Sequence, residues 1–403
     1  MRNGTLLLAS LLVMILVAGV MIPATGSATP DVSEAVAVSQ SATVGGADLA
    51  AVTAVQEYNR AIHVMVMLLL GFGFLMVFVR GYGLSALTAT YLLTAVSLPL
   101  YIWLKGSGVF GEPVTGIHAL ITGEFGAASL LICAGAVLGR LKMPQYLLLG
   151  VLFIPVYMFN EWMVLEGGLG LVSGGAFVDT GGSIVIHMFG ALFGLGVAMA
   201  MTTAGERGLP VESDYTSDRF SLLGSMALWV FWPSFCAALV PAALVPQTAM
   251  NVVMALCGST LVTYLATMML RRGIAAADIA NATLAGGVAI GSTCDKVSLP
   301  TALIIGAVAG FASTFGFAVI QERLQKGLRL VDTCGVSNLH GIPGLLGGLA
   351  ALVTVGGIDG GAQLKGIVVT MVLAVVAGLI TGRIVALTGH RANSYEDDEE
   401  FLG

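Results

Sequence analysis

Charge is what this chain has least of. Only 10% of its 403 residues are Asp, Glu, Lys or Arg, against roughly 25% in soluble globular domains. So few charges cannot clothe a water-facing surface, which excludes a soluble enzyme or a soluble binding module. No basic cluster stands outside the short stretches between apolar runs, so the electrostatic footprint of a nucleic-acid-binding surface is missing. The five cysteines (Cys133, Cys236, Cys257, Cys294, Cys334) form no C-x-x-C pair. They read as small packing residues rather than a zinc site or a disulfide framework. The net charge of −6 says little about partners, because acids are bunched over 396–400. What is abundant is apolar: 57% of residues are hydrophobic and the mean hydropathy is +0.94. The expected fold is an all-α polytopic membrane protein, with the lipid bilayer as its main surroundings.

Apolar runs broken by Gly, Pro or charge predict eleven spans, near 61–79, 84–104, 115–138, 144–164, 178–201, 219–241, 247–269, 275–293, 299–320, 333–355 and 366–388. Ahead of them, Arg2, an apolar run over 6–20 and the small residues 24–28 have the layout of a signal peptide cut after Ala28. That run reaches only about 23 Å as a helix, short of a ~30 Å hydrocarbon core. The rival reading extends it to Ile22 and keeps 1–28 as a twelfth membrane helix. Residues 29–59 read as an extracytoplasmic segment of weak structure, 60–389 as the membrane domain and 390–403 as an acidic cytoplasmic tail. The loop charges set this orientation. Twelve Lys and Arg, from Arg80 and Arg140 to Arg383 and Arg391, fall on one side, and only Arg60, Lys105, Lys296 and Lys365 on the other. The crowded side is expected to face the cytoplasm in a cell inner (plasma) membrane.

Two stretches are copies of one pattern. Both 179–194 and 332–347 read D-T-x-G-x4-H-x4-L-x-G, and they place His187 and His340 at equivalent points 153 residues apart. An ionisable ring inside an apolar span is costly to desolvate, so a repeated one is a functional candidate. One copy opens span five and the other span ten. Five spans apart, they are inserted with opposite polarity, as in a 5+5 inverted repeat, a class that sets its site near the bilayer midplane. Asp179 and Asp332 stand where a carboxylate caps free N–H groups at a helix start and meets the positive dipole end.

These stretches resemble the ammonium transporter/Rhesus glycoprotein family, its Rhesus branch in particular. HVMVMLLLGFGFLMVF from His63, EFGAASLLICAGAVLGRL from Glu124, SDRFSLLGSMALWVFWPSF from Ser217 and NATLAGGVAIG from Asn281 extend the resemblance over roughly 60–355. It implies the ammonium-transporter fold and a homotrimer of eleven- or twelve-helix subunits, each with its own narrow pore for ammonia. It further implies that His187 and His340 are twin pore histidines hydrogen-bonded to each other. Asp179 becomes the acid near the outer entrance, and Phe125 and Phe235 a stacked gate above the pore.

Solvation chemistry points the same way. Ammonium is held in water by its charge and four donor bonds, which an apolar pore cannot replace, whereas neutral ammonia crosses such surroundings far more cheaply. A selective pore therefore strips the proton first. Neutral imidazoles offer one donor and one acceptor each and can relay a proton, and aromatic faces above them can hold the cation. Potassium has no proton to give up and meets the full desolvation cost. Methylammonium and carbon dioxide are further candidate solutes, and the alternative function is an electrogenic ammonium transporter or a carbon dioxide channel on the same scaffold.

Plainer readings stand beside these. The two histidines could be hydrogen-bonded packing residues, and Asp179 a helix cap that also draws cations. Without the resemblance, Phe125 and Phe235 are ordinary core. Glu124 and Glu161, read near span ends, add negative potential that attracts cations to a vestibule. His63 and His118 read as interfacial or structural. A metal-dependent enzyme built on the histidines and Asp179 fails on geometry, since Asp179 lies about 12 Å along a helix from His187. No cofactor, metal or catalytic role is expected. The chain also departs from the family. Leu165 stands where electrogenic members carry a vestibule tryptophan, Cys236 replaces an asparagine behind the gate, and Ser337 replaces a larger polar residue.

Overall fold

The computed structural model of the protein describes residues 46–401. The 1–28 segment, and with it the choice between signal peptide and twelfth helix, lies outside the described residues, as does 29–45. Among the described residues eleven helical spans follow one another, each on one of the apolar runs. α1 (Gly46–Val66) continues through a π-helical stretch, Met67–Phe72, to a last turn at Phe78. α2 is Gly83–Ser107, α3 Gly116–Ala136, α4 Met143–Leu165 and α5 Ser183–Met201. α6 is Tyr215–Cys236 and α7 Val245–Arg271. α8 is broken into Ala276–Ala282, Ala285–Ile290 and a 3-10 turn, Gly291–Thr293. α9 is Leu299–Leu328, α10 joins Ser337–Gly341 to Ile342–Thr354, and α11 is Gly360–Ala386. Eight of these stretches are long and apolar enough to cross a membrane by themselves; α6, α8 and α10 are shorter, interrupted or more polar. No strand occurs among the described residues. The chain is a multi-pass membrane protein.

One boundary differs from expectation. α1 starts at Gly46 rather than near 61, so 46–59 is helix and not weakly structured. Ala51, Ala54, Gln56 and Glu57 are good helix formers, and helix satisfies the backbone even where the side chains are exposed.

The two halves meet through contacts that exchange in pairs. A Cβ on Gly71 of α1 would lie 2.6 Å from Leu228 of α6, and one on Gly224 of α6 would lie 2.2 Å from the backbone of Leu75. Adding 153 to 71 and 75 gives 224 and 228. Likewise Gly135 at the end of α3 abuts Cys334, while Gly291 at the end of α8 abuts Gly181. Such exchanged pairs are what a two-fold relation between the halves would produce. Absent side chains let the backbones approach closely, the usual way membrane helices gain packing energy. α3 and α5 are buried almost throughout, while α2, α9 and α11 bury a minority of their most apolar stretch.

The tail is not a free acidic strand. Asp397 accepts the N–H groups of Leu84 (3.0 Å) and Ser85 (2.8 Å), capping the start of α2. Glu400 accepts the Met143 N–H at the start of α4 (3.2 Å). Arg391 is buried beneath them, with its guanidinium over the Tyr82 ring and a bond to Glu396 O. Tyr395 N–H donates to Gly139 O (3.0 Å). Acids at helix N-termini complement the free N–H groups and the dipole, which gives the run over 396–400 a structural use.

Candidate functional site

The D-T-x-G loops build the site. Gly182 and Gly335 occupy the same place in the two copies, and both have left-handed backbones (φ 75° and 65°). A side chain there is strained, which is why the motif holds glycine. The turn lets each aspartate reach back over the helix that follows. Asp179 accepts the Ile184 N–H with both oxygens (3.1 and 3.0 Å), the Val185 N–H (2.8 Å) and the Ser292 hydroxyl (2.5 Å). Asp332 accepts the Val336 N–H (2.9 Å) and both the N–H (3.0 Å) and O–H (2.8 Å) of Ser337. Each buried carboxylate is thus surrounded by donors, the condition for keeping one inside an apolar body. Ser337 supplies two of those donors, its N–H and its hydroxyl.

Both capped helices open with π-helical turns, Ser183–Met188 and Ser337–Gly341. Widened turns are frequent at functional sites. They carry the two histidines to a common depth, where His340 Nδ1 and His187 Nδ1 lie 3.2 Å apart, with near-parallel rings 5.3 Å between centroids. Both rings are buried, and His187 Nε2 has no partner among the described residues.

An aromatic file runs through this pair. Phe125 on α3 and Phe235 on α6 meet at 4.8 Å between centroids, Phe235 lies 5.9 Å from His187, and Phe72 of α1 stacks on His340 at 6.2 Å. Four residues singled out from the sequence are therefore brought together: Phe125, Phe235, His187 and His340. Asp179 joins them through the helix it caps.

Two acids do not join the file. Glu124 sits in the third turn of α3 rather than at a span end, and it is fully buried with neither oxygen hydrogen-bonded among the described residues. The helix starts at Gly116, which carries Glu124 about 12 Å below its first residue. Glu161, on α4, accepts the Tyr101 hydroxyl at 2.6 Å, close to the Lys105–Glu166 ion pair of 2.7 Å. Leu165 ends α4 half-buried against the core. An ion pair stands beside the Asp179 loop instead: Thr180 Oγ1 donates to Asp295 (2.8 Å), which pairs with Lys296 (2.5 Å).

Sequence reasoning missed two members of the file. Trp232 stacks on His187 (5.5 Å, 23°), and Phe72 covers His340. The signal for Trp232 was its place three residues before Phe235, on one face of a helix. His63, read as interfacial or structural, meets Ser234 Oγ at 2.9 Å and packs on Phe231. Below His340 a narrow cavity of about 20 Å3 runs between Phe72, Leu131, Ile132 and Leu339, with room for about one water-sized molecule. It leads toward a polar cavity of about 740 Å3 on the tail side, lined by Arg207, Asp218, Gln321, Glu322 and Lys326 among others.

With this geometry in hand, comparison with known proteins is specific. The profile of the Ammonium Transporter Family matches residues 36–401. The chain is 38% identical to "Ammonium transporter Rh type A" of Bos taurus over 342 residues, covering 81% of this chain and 78% of that one. It is 34% identical to "Ammonium transporter Rh type C" of Homo sapiens over 365 residues, covering 81% and 74%. Among solved structures, that of Nitrosomonas europaea Rh50, described as bearing on conduction by the Rhesus family of channels, superposes with a TM-score of 0.84. That pair shares 53% identity, over 86% of this chain and 92% of the other. Candida albicans Mep2 superposes at 0.69 with 18% identity, over 87% of each chain, a likeness of fold alone.

Proposed function

Because this chain belongs to the ammonium transporter family, whose members are transporters and channels rather than enzymes, we propose that it is a passive ammonia channel. Ammonium loses its proton at the mouth next to Phe125 and Phe235, and neutral ammonia crosses along His187 and His340. The observation that carries this reading is the buried Nδ1–Nδ1 contact of 3.2 Å at the end of a phenylalanine pair. A slot walled by Phe72, Leu131, Ile132 and Leu339 offers a cation no anionic partner. A neutral solute needs only the donor and acceptor that the imidazoles supply.

Asp179 shapes the mouth by holding the helix that carries His187, and it adds negative potential there. The basic excess on the tail side supports a cytoplasmic tail and an extracytoplasmic N-terminus in a plasma membrane. The homotrimer remains part of the same proposal, with methylammonium and carbon dioxide as the other solutes to assay.

His340→Ala tests this reading. The variant should remain folded, with ammonia conductance or selectivity over potassium altered in reconstituted vesicles. Wild-type flux together with wild-type selectivity would remove the histidine pair from the function.

A further inference from the structure

The two cavities below His340 share three lining residues, Phe78, Asn281 and Cys334. These three therefore form the neck between the single-file stretch and the wide polar chamber. They come from separate elements: the end of α1, the first piece of broken α8, and the loop that Asp332 organises ahead of α10.

Asn281 is the polar member whose orientation is fixed. Its Nδ2 donates to Ala277 O one turn back at 2.9 Å. The flipped amide would set Oδ1 against that carbonyl, two acceptors face to face, so Oδ1 is the end left available. The repeat gives the position further meaning. The step that takes Gly135 to Gly291 is 156 residues, and the same step takes Phe125 to Asn281. One mouth of the pore thus carries a gate phenylalanine where the other carries a carboxamide.

We propose that the Phe78–Asn281–Cys334 neck is a binding station for neutral ammonia leaving the histidine pair, with Asn281 Oδ1 accepting one of its N–H bonds. This rests on the ammonia-channel reading above. Ammonia has three N–H donors, and beneath His340 the walls of Phe72, Leu131, Ile132 and Leu339 side chains accept none of them. Asn281 supplies the side-chain acceptor at the boundary with the chamber. Asp332 lies just beyond, but its oxygens are occupied by Val336 and Ser337. A carboxamide, unlike a carboxylate, takes a neutral donor without trapping a cation. That is what a station on a conduction path requires: binding good enough to enter and weak enough to leave.

Two arms test this in reconstituted vesicles, read as intravesicular pH change. In the first, Asn281→Leu keeps the size of the side chain and removes the acceptor. Ammonia conductance should fall about 2- to 12-fold, the equivalent of one hydrogen bond. In the second, otherwise native protein with its tail side accessible is treated with 2-sulfonatoethyl methanethiosulfonate. The Cys334 thiolate attacks the reagent's sulfenyl sulfur, forming a mixed disulfide and expelling methanesulfinate. With labelling at Cys334 verified by mass spectrometry, conductance should fall at least about tenfold. Cys334→Ala should keep its own untreated rate after the same treatment. The inference is overturned if Asn281→Leu, folded by melting and gel filtration, conducts like wild type, or if labelled Cys334 passes ammonia undiminished. Should Asn281→Leu misfold, the labelling arm decides alone. A folded wild type that conducts no ammonia would instead overturn the functional reading beneath this one.

Discussion

His187 Nδ1 and His340 Nδ1 face each other at 3.2 Å although the residues are 153 positions apart in sequence. Two ring nitrogens at that distance can share only one proton. If both rings are neutral, one is protonated at Nδ1 and the other at Nε2. The pair then presents one Nε2 acceptor and one Nε2–H donor, so a passing ammonia molecule finds both complements of its own hydrogen bonding. A second proton between the two Nδ1 atoms would set two N–H groups against each other, so the contact itself holds only one.

The gate should fail by losing selectivity rather than by blocking. Phe235→Ala removes a buried ring packed on both Phe125 and His187. The loss should cost about 3–5 kcal/mol of stability, as large-to-small changes in packed cores do. It should also open the slot to water. The expected outcome in vesicles is a lower melting temperature together with measurable water or potassium leak. A variant as tight as wild type would show that the ring pair does not close the path.

Two substitutions separate the roles of Asp179. Asp179→Ala strands the N–H groups of Ile184 and Val185 and the Ser292 hydroxyl, at about 1–3 kcal/mol for each buried group left unpaired. Poor expression or a collapsed melting temperature is expected. Asp179→Asn keeps one acceptor oxygen and loses the charge. If that variant folds and conducts normally, Asp179 acts as a cap alone; a folded variant with reduced uptake at low ammonium assigns it recruitment as well.

The tail should behave as part of the fold. Asp397→Ala removes the cap from α2 and should cost about 1 kcal/mol, while Asp397→Asn should lose less. Thermal melting in detergent reads both. Equal melting temperatures for wild type and Asp397→Ala would mean that the tail docks without supporting the helix.

Much of this was legible because membrane spans write themselves in long apolar runs, and all eleven runs became helices. The D-T-x-G-x4-H repeat also located the two histidines, since a titratable ring repeated on one spacing stands out sharply against apolar neighbours. The start of α1 was less legible. Helix propensity in a polar, exposed stretch leaves no hydrophobic period to read, so 46–59 passed for loose chain. Glu124 was read near a span end although the expected span over 115–138, which α3 matches within one residue at its start, already set it nine residues deep. Trp232 offered only its place three residues before Phe235, and Phe72 offered no signal, for another reason. They are ordinary aromatics until the crossing of α1, α5, α6 and α10 sets them against the histidine rings. The tail was legible as acidic but not as docked, because its partners are backbone N–H groups, which every sequence has.

The central claim is that a proton stays behind when ammonia crosses, so that no net charge moves. With Leu165 rather than an aromatic side chain ending α4, one face that could hold ammonium by cation–π attraction is absent. Such attraction is worth about 0.5–2 kcal/mol, or up to ~30-fold in occupancy. The direct measurement steps ammonium onto proteoliposomes of wild type and His187→Ala and records intravesicular pH and membrane current together. The account predicts alkalinisation that scales with the amount of wild-type protein, with no saturable current at millimolar ammonium. An inward current that scales with protein and vanishes in His187→Ala would contradict it and make the protein an electrogenic ammonium transporter.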